Sequence, residues 1–448
     1  MNINPDNTVF VVLSFEGPDV YSMAGGLSSR IMNLTNTLVE MGFTIHNFFI
    51  GDPEKKGVEI FKNGNLFLYR WCQWISKCYP GGVYDGEEDK LNDFTQSVPP
   101  YVVNEVILPA ISQKKLVVIL GEEWQTAETM CQISDLLFHT GFRDKAVMFW
   151  NANNTYGFER IDWQRLTYTT RITTVSKYMK QIMLKMGINP FVIANGIPKE
   201  LLNEIDDKDV TTLKNLINSE ITLSKVARWH PDKGWEPAIN AIGMLKKTGI
   251  KPVLLARGGV GSYGLKVTQQ PKMTGIMVKN VLLDVNENIE NLYLEATLHK
   301  TFKPYFKAIA KAGKGDIFNF MFPIPCSFLQ VIYKASDIVL ANSIHEPFGL
   351  VGLEAMADGA IVFCGSSGED YAVHMQNAIV LDTFEADEIQ FYIDYLRLHE
   401  DNRKTISLAA KQTAEQWTWK KVVKRLICKL EYQAQLQGVN NLADMSTK

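Results

Sequence analysis

The stretch ASDIVLANSIHEPFGLVGLEAMADGAIVFCGSS, residues 335–367, contains two kinds of pattern in turn. ASDIVLANS (335–343) and GAIVFCGSS (359–367) are short apolar runs, which is typical of buried strands. Between them, GLVGLEAMADG (349–359) has the small and apolar residues of a helix. A strand, a helix and a second strand in this order predict a βαβ unit with parallel strands.

The same alternation of strand and helix patterns runs through most of the chain. Strand-like runs lie at 8–15, 43–50, 114–124, 145–151, 171–176, 191–198, 220–228, 251–259 and 377–382, besides the two above. The clearest helical pattern is 25–42, with apolar residues spaced for one face. Repetition of the pattern on both sides of residue 200 predicts two α/β domains with parallel sheets. Two stretches have weaker periodicity: 65–89, which is aromatic and then acidic, and 262–320, where we expect one or two inserted helices.

The polar segment 195–212 separates the two halves and predicts a hinge. We therefore predict an N-terminal Rossmann-like domain at 1–197 and a C-terminal Rossmann-like domain at 198–414. The amphipathic segment 415–448 predicts a terminal helix and tail.

Composition excludes several classes of protein. The 448 residues are too many for one core, and a net charge of −3 gives no general attraction to nucleic acid or to anionic membranes. There is no apolar run of about 18 residues and no basic region typical of a signal peptide. The six cysteines and seven histidines show no pairing typical of disulfides or metal sites. We expect a cytoplasmic protein without a transmembrane segment, metal or other cofactor, and the oligomeric state stays open.

Two strand ends carry residues suited to a phosphate. In open α/β sheets, ligands bind beyond the carboxyl ends of the strands. Gly25 and Gly26 precede a helix, where backbone N–H groups can approach an anion, although a structural turn also explains them. Arg228 and Lys233, in VARWHPDKGW (226–235), follow a strand and together suit a diphosphate, although both could be solvated surface cations.

A third strand end lies in the opening stretch. Glu346 and Glu354 are eight positions apart, and Gly349 lies between them at the start of a helix. The first N–H groups of a helix are unsatisfied and carry positive partial charge. A glycine there would let a ligand approach them, whereas the alternative is an ordinary helix with solvated glutamates.

Together these motifs resemble those of the retaining, nucleotide-sugar-dependent glycosyltransferases of the glycogen-synthase-like superfamily (family 4). EPFGLVGLEAMADG (346–359) is similar to the family's E-x7-E signature, and VARWHPDKG (226–234) is similar to its diphosphate element. AGGLSSR (24–30) and GEEWQTA (121–127) resemble loops of its first domain. The resemblance implies the GT-B fold, with two Rossmann-like domains facing across a cleft and a C-terminal helix that crosses back to the first domain.

The resemblance also implies roles in donor binding. Arg228 and Lys233 would hold the donor diphosphate and stabilise the leaving group, and Glu346 would bind hydroxyls of the transferred sugar, so that these three residues are the candidate catalytic set. Glu354 would accept hydrogen bonds from the two ribose hydroxyls. No enzymatic nucleophile is implied, because the departing phosphate is usually taken to deprotonate the acceptor.

Backbone N–H groups complete the implied donor site. Those of Phe348, Gly349 and Leu350 would contact sugar hydroxyls or phosphate. Gly25 and Gly26 would close over the phosphates from the first domain.

The acceptor side departs from the family pattern. Many members carry a histidine after the strand that here reads AVMFWNANNTYGFER (146–160), whereas this chain has asparagines. Asn151, Asn153 and Asn154, with Trp124 of GEEWQTA, are the candidate acceptor-binding residues. Asparagine can bind a hydroxyl but cannot act as a base near neutral pH.

Other classes of function fit less well. Gly259, Gly261 and Gly264 form G-x-G-x-x-G with Asp284 downstream, but Pro271 and the missing apolar stripe argue against the helix of a dinucleotide site. The D-x-D at 207–209 lies in the polar hinge, which argues against a metal-dependent transferase. A glycoside hydrolase would not need the cation pair.

We therefore predict a retaining transferase of carbohydrate metabolism that moves a hexose, with a weak preference for UDP-glucose, to an unidentified carbohydrate or small hydroxylated acceptor. The alternatives are a non-catalytic sugar-nucleotide-binding protein and a GT-B nucleotide-sugar epimerase.

Overall fold

The computed structural model of the protein describes residues 2–259, 261–273, 275–284 and 288–439. The chain forms two compact units. Unit 1 comprises the chain up to Gly196 together with the segment that begins at Trp419, and unit 2 comprises Ile197–Thr418.

Unit 1 is built on an eight-stranded sheet in the order β3-β4-β2-β1-β5-β6-β7-β8, parallel except for the antiparallel pair β3 and β4. Its strands are β1 (Thr8–Leu13), β2 (Thr44–Ile50), β3 (Val58–Phe61), β4 (Leu66–Trp71), β5 (Leu116–Glu122), β6 (Ala146–Ala152), β7 (Arg171–Thr174) and β8 (Phe191–Val192). Its helices include α1 (Gly26–Glu40), α2 (Gln73–Ser76), α3 (Glu87–Val102), α4 (Leu108–Ser112), α5 (Ala127–His139), α6 (Trp163–Thr169) and α7 (Lys177–Lys185).

Unit 2 is built on a seven-stranded parallel sheet in the order β11-β12-β10-β9-β13-β14-β15. Its strands are β9 (Ile221–Val226), β10 (Pro252–Arg257), β11 (Val278–Val281), β12 (Ile317–Phe320), β13 (Ile338–Ala341), β14 (Ile361–Cys364) and β15 (Ile379–Val380). Its helices include α8 (Asp207–Ile217), α9 (Trp235–Lys247), α10 (Ser262–Met273), α11 (Ile289–His299), α12 (Lys303–Ala312), α13 (Cys326–Ala335), α14 (Leu350–Ala357), α15 (Ala386–Leu398) and α16 (Glu400–Gln416).

The last helix, α17 (Trp419–Leu436), belongs to unit 1 although it follows unit 2 in the chain. Val422, Leu426 and Leu430 are at most 2% exposed and pack in one cluster with Ile31 and Leu38 of α1. Burying each such side chain contributes about 1.5–3 kcal/mol. The apolar face of α17 therefore holds it in the first unit, which confirms the predicted return of the C-terminal helix.

The predicted strands are present, and the two weakly periodic stretches contain more regular structure than we expected. The stretch 65–89 includes β4, and 262–320 includes β11 and β12 besides the inserted helices α11 and α12. The alternation was hidden because central strands of a parallel sheet are buried on both faces. Phe318 and Phe320 of β12, for example, are each 1% exposed.

Two patterns that suggested other functions have structural explanations. Asp207 and Asp209 lie in the first turn of α8, where acidic side chains are favourable, and Asp207 pairs with Lys334 at 2.8 Å. The expectation that Pro271 would prevent a helix after β10 is wrong, because α10 includes this residue near its end. Asp284 pairs with Lys307 and Lys311 at 2.7 Å each.

Candidate functional site

The candidate donor site of unit 2 lies where the strand order of the sheet reverses. On one side of β9 lie β10, β12 and β11 in that order, and on the other side lie β13, β14 and β15. A crevice opens beyond the carboxyl ends of strands at such a reversal. Arg228 and Lys233 follow β9 directly, and Glu346 follows β13, so the fold brings the predicted donor residues to one edge of the sheet.

Lys233 and Glu346 form an ion pair in this crevice, with 2.7 Å between Nζ and Oε2. Their side chains are 16% and 23% exposed, so a ligand can reach both. Gly234 brings the two loops together, because it has φ +65° and an added Cβ would lie 2.3 Å from the carbonyl oxygen of Asn342. No other residue type fits there without displacing the backbone of the β13 loop.

Lys225, a lysine buried within β9, supports the same loops and was missed from the sequence. Its ammonium donates to the carbonyl of Leu340 at 3.3 Å and to Oδ1 of Asn342. Its pKa is lowered to about 7, mainly by burial and also by the nearby charge of Lys233, while Glu346 opposes the shift. The only sequence signal was a lysine in an otherwise buried run, ITLSKV (221–226).

Arg228 is exposed, and its guanidinium has no ion-pair partner among the residues that the structure describes. Its backbone is anchored, since its carbonyl accepts a 2.9 Å hydrogen bond from Nε1 of Trp235. A fixed backbone and an uncommitted guanidinium suit an arginine that binds an external anion.

The start of α14 is shaped differently from our expectation. An added Cβ at Gly349 would lie 2.7 Å from Cγ and 2.8 Å from Oε1 of Glu369. The glycine therefore makes room for a glutamate of the next loop, where we expected room for a ligand. Phe348 is 6% exposed and packs against Tyr371, with ring centroids 6.0 Å apart, so only its backbone is placed to meet a ligand.

Two further predicted donor residues belong to α14. Leu350 is its first residue, so its N–H is among the unsatisfied groups of the first turn. Glu354 lies one turn further along. The residue as a whole is partly exposed, but its carboxyl group is buried, which raises its pKa to about 7.

The glycine loop of unit 1 already binds an internal carboxylate. Glu16, 4% exposed, accepts hydrogen bonds at Oε2 from the N–H groups of Ala24, Gly25 and Ser28 at 3.3, 3.1 and 3.0 Å. It therefore caps the N-terminus of α1, where we expected a phosphate of the donor. A Cβ added at Gly25 or at Gly26 would lie in open space among the described residues.

The asparagines on the acceptor side hold two buried glutamates. Asn151 and Asn153 each donate a side-chain hydrogen bond of 2.9 Å to Oε2 of Glu122. The backbone N–H of Asn153 donates to Oε1 of Glu123 at 2.7 Å, and the side chain of Asn154 donates to Oε2 of Glu123 at 3.3 Å. The sequence suggested direct acceptor binding by the asparagines, whereas the structure places them around carboxylates.

These glutamates lie at the point where the strand order of unit 1 reverses, between β1 and β5. Glu122 is paired with Arg30 at 3.1 Å. Glu123 is 5% exposed and has φ +68°, a strained conformation for a residue with a side chain. A strained, buried carboxyl at such a point is a functional-site feature that GEEWQTA alone did not reveal.

Trp124 follows directly and is 5% exposed. Arg160 stacks over its indole with 4.1 Å to the ring centroid, and Gly157 lies against the ring so closely that an added Cβ would be 2.4 Å away. The indole therefore packs within unit 1, with its Nε1 left without a partner among the described residues.

Glu123 predicts a pH-dependent stability. Burial raises its pKa to about 8, hydrogen bonds from Asn153 oppose this, and the carboxylates of Glu122 and Glu16 add to it. The folded protein keeps this proton up to about pH 8 while the unfolded chain loses it near 4.5, so stability declines as pH rises through this window. We expect Glu123→Gln to match the parent near pH 5 and to melt several degrees higher near pH 8.5.

Differential scanning fluorimetry across this range tests the prediction. Glu159→Gln, which changes an exposed glutamate of the same unit, is the control and should follow the parent at every pH. A constant difference between Glu123→Gln and the parent at all pH values would contradict the assignment.

Gly259 and Gly264 of the G-x-G-x-x-G pattern, together with Gly258 just before it, contact Trp229. An added Cβ at Gly258 or Gly264 would lie 2.0 or 2.5 Å from the ring of Trp229, and the Trp229 indole donates to the carbonyl of Gly259 at 3.0 Å. This packing accounts for the small residues without a dinucleotide.

The comparisons with known proteins agree with this geometry. Residues 207–413 match the family model described as Glycosyl transferases group 1. Over these residues, unit 2 is similar to the group 1 glycosyltransferase domains. The match lies on the unit that holds Arg228, Lys233 and Glu346. It supports the prediction that the protein is a transferase.

The chain is similar to curated glycosyltransferases over a limited region. It is 33% identical over 119 residues to a D-inositol 3-phosphate glycosyltransferase of Corynebacterium aurimucosum, which covers 26% of this chain and 28% of that protein. The chain thus spans about a quarter of the length of the curated relatives that it matches.

Solved structures show the fold of the whole chain. Sucrose-phosphate synthase from Thermosynechococcus elongatus aligns with a TM-score of 0.65 at 16% identity, covering 97% of this chain and 100% of that one. HepE of Anabaena, solved with UDP and glucose, aligns with a TM-score of 0.59 at 14% identity, covering 95% and 100%. These likenesses confirm the predicted GT-B fold of two Rossmann-like domains.

The described residues contain no group of three or more His, Cys, Asp or Glu side chains placed to share a metal ion. Within the same residues, no helix has both the length and the apolarity needed to cross a membrane.

Proposed function

We propose that the protein is a glycosyltransferase that moves a hexose from a nucleoside-diphosphate sugar to a hydroxylated acceptor with retention of configuration. The observation that carries the proposal is the contact between Lys233 and Glu346, beside the uncommitted Arg228, at the strand reversal of a group 1 glycosyltransferase domain. The fold alone would not assign an activity.

The ion pair suits the handling of a charged donor. Without a ligand, Lys233 neutralises Glu346 across 2.7 Å. A diphosphate would compete for Lys233, and Glu346 would then be free to accept hydrogen bonds from hydroxyls of the hexose. Arg228 would hold the diphosphate by its planar fork, and both cations would stabilise the charge of the leaving group.

The remaining donor contacts are part of the same proposal. The N–H groups of Phe348, Gly349 and Leu350 would face sugar hydroxyls or phosphate at the start of α14, and Glu354 would bind the ribose hydroxyls. UDP-glucose is the preferred candidate, in agreement with the UDP and glucose found with HepE. The departing phosphate would take the proton of the acceptor, so that no protein nucleophile and no essential metal are needed.

Unit 1 suggests the chemical class of the acceptor. The side chains of Glu16, Glu122 and Glu123 belong to residues that are each at most 5% exposed, and Arg30 is already paired with Glu122. A phosphate would be repelled by an ionised carboxylate such as that of Glu122, whereas hydroxyls can donate to carboxyl oxygens. We therefore propose a neutral hydroxylated acceptor, in contrast to the phosphorylated sugar or cyclitol in the names of several relatives.

We also propose a cytoplasmic location. All six cysteines are free thiols, which is typical of proteins in a reducing compartment.

Donor binding is tested with a thermal-shift panel of nucleoside diphosphates and their sugars, because a ligand stabilises the folded state by mass action. Donor consumption is then measured with neutral sugars and polyols, with sugar phosphates, and with EDTA. Turnover with neutral acceptors in EDTA is expected. Binding without turnover would favour a non-catalytic binding protein, and conversion of the donor without an acceptor would favour an epimerase.

Arg228→Ala should weaken the binding of UDP about 10-fold or more while the binding of uridine changes less than 2-fold, because the guanidinium contacts only the phosphates. Isothermal titration calorimetry measures both affinities. Arg397→Ala, which removes another exposed arginine of unit 2, should leave both unchanged. An equal loss for UDP and uridine would remove Arg228 from the phosphate role.

A further inference from the structure

Glu369, in the loop after β14, is a buried carboxylate without a hydrogen-bond partner. Its side chain is 6% exposed, and neither carboxylate oxygen is bonded within the part of the chain that the structure describes. The backbone amides of Ser367 and of Glu369 itself lie near enough to oppose the rise in the pKa of this carboxyl, but neither forms a hydrogen bond with it. An unpaired buried carboxylate is costly, so its presence needs an explanation.

The position of Glu369 is set by the donor site. Its carboxyl lies against Gly349 at the start of α14, as described above. The preceding Gly368 packs directly against the backbone of the loop that follows β13. A Cβ added at Gly368 would lie 2.1 Å from the carbonyl oxygen of Glu346 and 2.4 Å from that of Pro347. The hydroxyl of Ser367 accepts a 3.0 Å hydrogen bond from the amide of Glu346. The loop that carries Glu369 is thus joined directly to the loop that carries Glu346.

Structural roles do not account for this carboxylate. Lys233, the nearby cation, is engaged with Glu346 at 2.7 Å. The N-cap residue of α14 is Gly349, and the helix has no side-chain cap hydrogen bond. Burial and the charge of Glu346 raise the pKa of Glu369 to about 8, against smaller opposing effects of nearby backbone amides and of Lys233. The ligand-free protein therefore favours the protonated carboxyl near neutral pH.

An external group that donates hydrogen bonds would satisfy both oxygens. An ionised carboxylate is purely an acceptor, so its partner must carry O–H or N–H groups. A donor sugar held by Glu346 brings hydroxyls to this edge of the site. A ligand carboxylate there would instead meet the negative charge of Glu346 and, where it is ionised, that of Glu369, in a poorly solvated environment.

We propose that Glu369 is a specificity-determining residue that accepts hydrogen bonds from hydroxyls of the transferred sugar, so that the site selects neutral hexoses over uronic acids. The inference rests on the proposed function and deepens it. It adds a third carboxylate, after Glu346 and Glu354, to the donor site and assigns it to the sugar.

The test compares the affinities of UDP, UDP-glucose and UDP-glucuronic acid for the parent protein and Glu369→Gln, measured by isothermal titration calorimetry. Hydrogen bonds to a charged acceptor are stronger than those to a neutral amide, so the variant should bind UDP-glucose about 10-fold more weakly. Its affinity for UDP should stay within about 2-fold, because UDP has no sugar at this position. Discrimination against UDP-glucuronic acid should fall by a similar factor.

Asp358→Asn is the matched control. Asp358 is another carboxyl of unit 2 that has an unpaired oxygen and a pKa raised by burial to about 8, but it lies at the opposite end of α14. Both variants should melt at least as high as the parent, which shows that they fold, and Asp358→Asn should leave the three affinities unchanged.

Two outcomes would overturn the inference. Equal tightening of UDP and UDP-glucose by Glu369→Gln would mean that the carboxylate merely repels phosphate, and unchanged affinities would mean that it has no part in binding. If the parent bound no nucleoside diphosphate at all, the proposed function would fail and this inference with it. UDP binding with an unchanged ratio to UDP-glucose would reject the inference alone.

Discussion

Replacement of Lys233 by methionine is expected to lower kcat/KM for sugar transfer about a thousandfold. The variant keeps the length of the side chain but removes the charge that would stabilise the leaving diphosphate, and a single group of this kind contributes about 100- to 1,000-fold. It also leaves Glu346 without its cation 2.7 Å away, which disfavours an anionic donor. Steady-state kinetics with UDP-glucose and an active neutral acceptor measures the effect.

Lys246→Met controls for the loss of a lysine in the same unit. Lys246 is also ion-paired, to Asp316 at 2.7 Å, but it lies in the last turn of α9, away from the crevice. Its replacement should change kcat/KM less than about 2-fold, because a partly exposed ion pair contributes little. Similar losses in the two variants would show that the effect of Lys233→Met does not arise in the donor site.

Gly234→Ala is expected to lower the free energy of unfolding by about 3 kcal/mol and to reduce transfer further. Two effects add at this position. The backbone has φ +65°, which is strained for alanine, and the added Cβ would lie 2.3 Å from a backbone oxygen of Asn342 that no side-chain rotation can move. Relief of the contact would separate the loop of Lys233 from the loop of Glu346. Urea unfolding followed by intrinsic fluorescence measures the change in stability.

Gly249→Ala separates the two effects. Gly249 follows α9 in the same unit and has φ +88°, but no heavy atom lies within 4 Å of an added Cβ. We expect a loss of about 1 kcal/mol there, from backbone strain alone. Equal losses at the two glycines would show that the contact with Asn342 is not a constraint.

The sequence predicted those elements of the fold whose patterns are local. The run ASDIVLANS was read correctly as a strand, because β13 is short and apolar and is followed by a well-marked helix. β12 was missed, because a short run such as IFNF, buried on both faces, has no periodicity that distinguishes it from its surroundings. The helical segment α10 was judged wrongly, because it runs to Met273 and includes Pro271 beyond the first turn, against the usual preference of proline.

The candidate donor site was predicted unevenly for a similar reason. The sequence placed Arg228, Lys233 and Glu346 at one edge of the sheet because each follows a strand, where ligand-binding residues of α/β folds collect, and their roles in donor binding stay predictions. Glu369 was not recognised, because its significance depends on its burial and on the absence of a partner among the described residues. Lys225 was missed likewise, since a lysine within a strand gives no sign of which groups it will contact.

The sequence by itself determined the alternation of strands and helices, the two α/β domains and the residues at the strand ends, since each follows from local periodicity and from the order of elements along the chain. Only the tertiary structure decided which of these residues meet. It paired Lys233 with Glu346, used Gly349 to admit Glu369, and placed Glu16 on the amides where a phosphate was expected. Such contacts join residues up to 113 positions apart in the chain, and they depend on packing geometry that no local pattern contains.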